Sequence, residues 1–485
     1  MRENCLLPLV TAFFCLNCSS VQSTRFPADA VREDLTYLYE TLESSHYDLY
    51  VNTGKDVFDK EYKRISGSIT DSLSAIQIYR LFQPFTALSK LEHCFMEFPL
   101  NSYVSFLQEG GKVFPFDVYF EENRVLIKNN FSTNSTVIRG DQIISLNGRP
   151  VEEVLRDMYT YLSGEDNDVK NTWAVGFYTF PRLFWIVYDS CETVDIEIKK
   201  RSGSAITARV AAIPAIEFEG KVAEQKSILA PHREFQFIRE IAYLHPGQFA
   251  NMAAGSPNGL EKEAYENGEF RRFLDSCFIE IHKKQAKYLI VDLRGNPGGS
   301  NTFSDPMVAY FASRPFSFCS KFIVRTSQNT KESWKDVSDS TLLELRAQIL
   351  SHENGSRFEV SIPKYQPRKD SLRFGGKVYV LINRYTYSNA TVTAAMIQDY
   401  GFGKLVGEAT VDAPTVYGSI QNFRLPNTQM LVSYPKAFAI RPNGNSSFHG
   451  VVPDYQVKES ILTDNDEILE YTLQLIREDE DQRGL

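Results

Sequence analysis

The sequence predicts an α/β protein with a helical N-terminal part and a β-rich middle section. Three observations carry that expectation. An apolar stripe at helical spacing lies near the N-terminus, alternating runs fill the stretch from about Tyr103 to Ile213, and strands alternate with helices from about Arg239 onward. The 485 residues allow about three domains at roughly 150 residues each. A hydrophobic share of 43% and a charged share of 23% exclude wholesale disorder and collagen-like structure. The net charge of −9 argues against nucleic acid as the main partner, although a local basic patch stays open. No apolar run reaches the roughly 20 residues of a membrane-spanning helix.

The N-terminus, MRENCLLPLVTAFFCLNCSS, has a thin positive region at Arg2 and an apolar stretch from Leu6 to Leu16. That length fits the core of a secretion signal, with small residues at Ser19, Ser20 and Ser23 for cleavage, so residues 1–23 are expected to direct export. The expected location is therefore periplasmic, secreted or lipid-anchored. Cys18 offers lipid attachment as an alternative, but Cys15 stands three residues before it, where such signals usually carry Leu. A buried N-terminal helix is the other reading. Three of the seven cysteines (Cys5, Cys15, Cys18) lie in this segment, and Cys94, Cys191, Cys277 and Cys319 are far apart, without metal-ligand spacing. Isolated thiols are the expectation, with no metal and no cofactor, although an oxidising compartment would permit disulfides.

In ADAVREDLTYLYETLESSH, Val31, Leu35, Leu38 and Leu42 form one helical stripe. More helix is expected through VFDKEYKRISGSI and SLSAIQIYRLFQPFTALSKL, giving a helical cap over residues 24–102. Farther on, VLIKNN and VDIEIKKRSGSAITARVAAI alternate as strands, with KKRSGSA a turn between two of them. In VIRGDQIISLNGRPVEEVL, Gly140-Asp141 makes a turn, Ile143 and Ile144 start a strand, Asn147-Gly148 makes a tight turn, and a helix begins at Val151. This string resembles the centre of a PDZ domain, placed at residues 103–215, although any small β insert with an Asn-Gly turn would read similarly. Residues 216–485 read as an α/β core. IAYLHPGQF and AKYLIVDLRG are strands, EFRRFLDSCFIEIHKKQ and DPMVAYFA helices, and a polar insert spans about 326–373. Strand KVYVLIN and the amphipathic helix DNDEILEYTLQLIRE complete it.

Two strand-turn junctions carry chemistry. In KYLIVDLRGNPGGSN a buried strand ends at Asp292 and enters Gly295-Asn296-Pro297-Gly298-Gly299, where glycines let backbone N–H groups face a ligand, as an oxyanion hole requires. A plain tight turn is the structural alternative, and the loop lacks both nucleotide-binding glycine patterns. In KVYVLINRYTYSNATVTAAM a helix begins near Ser388, whose commonest role there is an N-cap; beside an oxyanion hole it becomes a candidate nucleophile.

Together these segments resemble peptidase family S41, the tail-specific and tricorn-type proteases. VDLRGNPGG matches its D-L-R-x-N-x-G-G block, LINRYTYSNATVTAA the serine block, LVGEAT the G-E-x-T block and HGVVPDYQV the closing G-x-x-P-D. DLTYLYETLESSHYDLY also looks like the helical cap of the histidine-using branch. The resemblance implies a crotonase/ClpP-like α/β core and a serine endopeptidase acting through an acyl-enzyme. Ser388 is then the nucleophile, and the N–H groups of Gly299 and Asn389 are the oxyanion donors. The lysine base of tail-specific members is replaced by Ala413, so His93 in ALSKLEHCFMEF takes that role by analogy with tricorn-type members, although Leu91 and Glu92 stand where Asp and Gly are usual. The orienting third group is unassigned, because Asn445, Ser446 and Ser447 stand where a carboxylate is expected. Glu408, His46 and His449 are read as structural. The implied partner is a peptide or protein substrate, including an exposed C-terminus, and the alternative is a catalytically decayed S41-like binder of peptides or apolar ligands.

Overall fold

The computed structural model describes residues 24–122, 124–225, 227–230, 232–251, 266–337 and 343–483. The expected export segment, with Cys5, Cys15 and Cys18, lies outside the described residues. The helical stripe is realised in α1 (Ala28–Ser45), whose Val31, Leu35, Leu38 and Leu42 are fully buried. Burying each such side chain is worth about 1.5–3 kcal/mol. Helices α2 (Lys55–Ser68) and α3 (Ala75–Ala87) complete the cap, the latter begun by Gln77, whose side chain accepts the Ser74 N–H at 2.9 Å. A two-residue strand, β1 (Phe95–Met96), and α4 (Leu100–Gln108) lead out of it.

The middle section is an antiparallel sheet of β2 (Phe116–Glu121), β3 (Arg124–Asn130), β4 (Gln142–Leu146), β5 (Thr193–Lys199) and β6 (Ala205–Ala211), in the order β6-β5-β4-β3-β2. Asn147 and Gly148 take φ of +51° and +75°, the two positive angles a tight hairpin turn needs. Helix α5 (Val151–Tyr159) starts where the sequence places it. Residues 167–188, to which the pattern assigns no element, form α6 (Asn167–Thr172), a π-helical turn (Trp173–Phe177) and α7 (Phe180–Tyr188). Seven consecutive residues, Phe180 to Ile186, are buried, so the segment has no polar face for periodicity to reveal.

The C-terminal half begins with α8 (Ala215–Ala223), β7 (Glu234–Ile238), β8 (Ile241–His245), α9 (Gly268–Lys283), β9 (Tyr288–Asp292), α10 (Asn301–Ala309) and β10 (Lys321–Arg325). The polar insert contributes α11 (Gln328–Trp334), α12 (Leu343–Ser351) and β11 (Arg357–Glu359), packed around Val324, Ile349 and Val360. After it come β12 (Lys377–Ile382), α13 (Asn389–Tyr400), β13 (Lys404–Gly407), β14 (Val416–Arg424), β15 (Leu431–Ile440), β16 (Tyr455–Gln456) and α14 (Glu467–Arg483). The main sheet runs β7-β8-β9-β12-β13-β16, parallel throughout except between β7 and β8. Strands β8 and β9 are buried along their whole length, as the continuous apolar runs require of a sheet covered on both faces. Helices α9, α10 and α13 cover one face, and α14 covers the other with Ile468 and Ile476. A second, antiparallel sheet runs β11-β10-β15-β14, and β1 pairs with the start of β15. The architecture is thus an α/β core with a helical cap and a β-rich middle domain. Among the described residues no helix is long and apolar enough to cross a membrane. The four described cysteines are free thiols.

Candidate active site

Strands β9 and β12 are parallel neighbours, so the two glycine- and serine-bearing turns emerge side by side at their carboxyl ends. That is where open α/β sheets place their ligands. The turns are sewn together. Tyr387 N–H donates to the Asn296 carbonyl at 2.9 Å, Gly295 N–H to Asn383 Oδ1 at 3.1 Å, and Thr386 Oγ1 to the Leu293 carbonyl at 2.9 Å. Gly298 lies against the serine turn so closely that a Cβ there would sit 2.7 Å from Ser388 Cβ and 2.8 Å from Asn389 N. Only glycine fits, and its φ of +94° asks for glycine as well.

Ser388 immediately precedes α13, yet its side chain caps nothing. Its backbone has φ +52° and ψ −126°, a conformation that costs a non-glycine residue about 1–3 kcal/mol and concentrates at functional sites. The N-cap reading therefore does not describe this serine. Its N–H donates to the carboxylate of Asp412, which is 1% exposed. The Gly298 N–H is taken by Asn296 Oδ1 at 2.9 Å. Among the described residues no acceptor meets the N–H of Gly299 or of Asn389. Gly299 is exposed, and Asn389 is the first residue of α13, where the helix dipole favours negative charge. The Asn389 side chain is held by Ser304 Oγ at 2.9 Å.

His93 comes from the turn between α3 and β1, and its Nε2 lies 3.2 Å from Ser388 Oγ, across 295 residues of chain. Pairing of Phe95 with Ser433 and of Met96 with Val432 fixes that turn on β15. Buried Gln83 holds it from below, accepting the Met96 N–H at 2.7 Å and donating to the Tyr161 carbonyl at 2.8 Å. The imidazole is 4% exposed, and burial lowers its pKa to about 4, opposed by the backbone of Tyr417. Burial outweighs that upward pull, so the ring is neutral near pH 7 and able to take a proton from the hydroxyl.

The flank of Ser388 is aromatic and acidic. Trp173, in the π-helical turn of the middle domain, donates through Nε1 to the Tyr387 hydroxyl at 3.1 Å, stacks on Phe177 at 4.6 Å and lies tilted against Phe95 at 5.2 Å. Glu92 and Asp412 face one another there, and burial first, then each other's charge for Glu92, pushes both carboxyls above the usual range. Ala413, at the position of the missing lysine, is buried.

The remaining residues singled out in the sequence lie elsewhere. Glu408 accepts from Nε and Nη2 of Arg384, each at 3.0 Å, and Nη1 of Arg384 donates to the Phe120 carbonyl on β2, tying the middle domain to the core. His46 is buried in the cap and accepts the Asp48 N–H at 3.1 Å, and His449 is exposed. Asn445 and Ser447 bond to one another in an exposed turn. Sequence reasoning missed Asp412, Trp173 and Tyr417. The position of Asp412 beside Ala413 was a usable signal, but Tyr417 acts through its backbone and leaves none.

Residues 240–457 match the sequence profile of peptidase family S41, and residues 110–222 match that of a PDZ domain. No curated protein matches the chain. Among solved structures it is similar in fold to a serine-to-alanine mutant of CPAF, with 14% identity, a TM-score of 0.62, and coverage of 89% of this chain and 93% of that one. Mature CPAF complexed with lactacystin is similar at 14% identity and a TM-score of 0.60, covering 93% and 97%. From residue 240 to 457 the chain is a peptidase family S41 domain, preceded by a PDZ domain.

Proposed function

We propose that this protein is a serine endopeptidase of the histidine-using, tricorn-like kind, hydrolysing peptide bonds through an acyl-enzyme. The observation that carries the reading is the 3.2 Å approach of His93 Nε2 to the hydroxyl of a strained Ser388. In this reading neutral His93 takes the Ser388 proton as Oγ attacks the scissile carbonyl, then returns it to the leaving amine. The unengaged N–H groups of Gly299 and Asn389 receive the developing oxyanion, and water repeats the sequence on the acyl-enzyme. The peptide or protein substrate approaches past the PDZ domain, which captures an extended segment, an exposed C-terminus included, by strand addition. The chain divides into an export segment (1–23), the helical cap (24–102), the PDZ-like domain (103–215) and the catalytic core (216–485), and acts outside the cytoplasm.

The test is labelling by a serine-reactive fluorophosphonate. Wild type should be labelled, Ser388→Ala not at all, and His93→Ala roughly a thousandfold more slowly. A folded wild type that takes no label at Ser388 overturns the reading in favour of a decayed peptide- or ligand-binding protein. One observation favours that second reading: among the described residues no carboxylate is hydrogen-bonded to the His93 ring.

A further inference from the structure

The serine turn carries an acidic device that the reaction scheme above does not use. Asp412 is 1% exposed and accepts the N–H of Ser388, the bond that holds the strained residue from behind. Glu92, the residue before His93, faces it from the cap side. Its Oε2 is buried, and no N–H or O–H donor of the described residues reaches that oxygen. A buried carboxylate oxygen without a donor is costly. Protonation removes the cost, because the carboxyl then donates where it had nothing to accept.

The two acids differ in what surrounds them. Asp412 faces the N–H groups of Ser388 and Ala413 and the hydroxyl of Thr391 from α13, all of which favour its charged form. Glu92 faces the Tyr387 hydroxyl and is repelled by Asp166 at the start of α6. None of these groups is a cation. Two interacting carboxylates resist ionising together, so the pair gives up its two protons in separate steps. We propose that Glu92 and Asp412 share one proton and together position the nucleophile, Asp412 as the ionised acceptor of the Ser388 N–H and Glu92 as the protonated donor that steadies it. The proposal rests on Ser388 being the nucleophile. Glu92 and Asp412 are positioning residues; neither reaches the reacting carbonyl.

The pair gives the labelling rate a pH profile of its own. The rate rises as the pair gives up its first proton and Asp412 becomes a charged acceptor, and falls as the second is lost and the carboxylates repel. The experiment compares fluorophosphonate labelling rates of wild type, Glu92→Gln, Asp412→Asn and Asp412→Ala from about pH 5 to about pH 10. Glu92→Gln keeps a donor toward Asp412 but has no second charge to develop, so it should label within about threefold of wild type near neutrality and lose the alkaline fall. Asp412→Ala should be about tenfold slower or worse, and Asp412→Asn should recover part of that, because its amide oxygen still accepts the Ser388 N–H. An unchanged alkaline limb in Glu92→Gln, or wild-type labelling by Asp412→Ala, overturns the proposal.

A second readout does not depend on the nucleophile. The folded chain holds protons that the unfolded one releases, so stability is full at low pH and lost as pH rises through the raised pKa values. The thermal midpoint of wild type should therefore fall with rising pH relative to Glu92→Gln. If wild type takes no label, the nucleophile reading fails, and this midpoint difference still decides whether the proton is shared.

Discussion

The two halves of the site are held in contrasting ways. Ser388 sits on the turn that leads from β12 of the parallel sheet into α13, laced to the glycine turn by bonds among residues 293–296 and 383–387 and backed by Asp412. His93 belongs to a different part of the chain and reaches the serine through a two-residue strand and one glutamine. The geometry of Ser388 follows from the sheet itself, whereas that of His93 follows from docking the cap on the second sheet. The contrast teaches that the serine side should fail through local collisions and the histidine side through loosening at a distance.

Gly298→Ala attacks the tighter half and should have the largest effect. The new methyl would lie 2.7 Å from Ser388 Cβ and 2.8 Å from the Tyr387 carbonyl, on a backbone at φ +94°. Displacing Ser388 from the N–H groups of Gly299 and Asn389 should, if the proposed roles hold, cost about 10²–10³ in kcat/KM, measured on a chain whose circular dichroism is unchanged. Near-normal turnover would mean that the two turns do not act as one unit.

Gln83→Ala tests the looser half. It leaves the buried Met96 N–H and Tyr161 carbonyl without partners, at about 1–3 kcal/mol each. The expected result is a lowered melting midpoint and a kcat reduced about tenfold with KM little changed, because the base drifts while substrate contacts remain. A change in KM alone would argue that the turn touches substrate and does not set the base.

The acid limb of kcat/KM sharpens the same contrast. Burial lowers the His93 pKa to about 4, so once Asp412→Asn has removed the acid limb of the Glu92–Asp412 pair, the remaining activity should be sustained as pH falls and decline only as the imidazole gains its proton near that value. A decline centred near the ordinary imidazole value of about 6.5 would show that the ring is wetter in the working state than in this structure.

Trp173→Phe should have the smallest effect. The ring keeps its place beside Phe95 and Phe177, and only the bond to the Tyr387 hydroxyl is lost. About 1 kcal/mol of stability and a few-fold change in rate are expected. A loss as large as that of Gly298→Ala would make the PDZ domain part of the nucleophile's support.

Much of this molecule could be read from its residues in order. The stripe Val31, Leu35, Leu38 and Leu42, the buried runs at β9 and β12, the Asn147-Gly148 turn and the paired glycines all follow from local chemistry, in which periodicity and φ preference act over a few residues. Helix α7 did not, because a segment buried on every side has no pattern for alternation to show, and α6 is too short, at six residues, to show a helical period. Ser388, His93, Gly299 and Asn389 could be named from ordered motifs, but their spacing along the chain carries no distance. Whether an imidazole at residue 93 lies within 3.2 Å of a hydroxyl at residue 388 is settled by how a cap helix packs and where a two-residue strand pairs. The proton-sharing carboxyls illustrate the limit most plainly. Glu92 and Asp412 are ordinary acids in the sequence, and only tertiary packing, by removing water and bringing two like charges together, changes what each of them is.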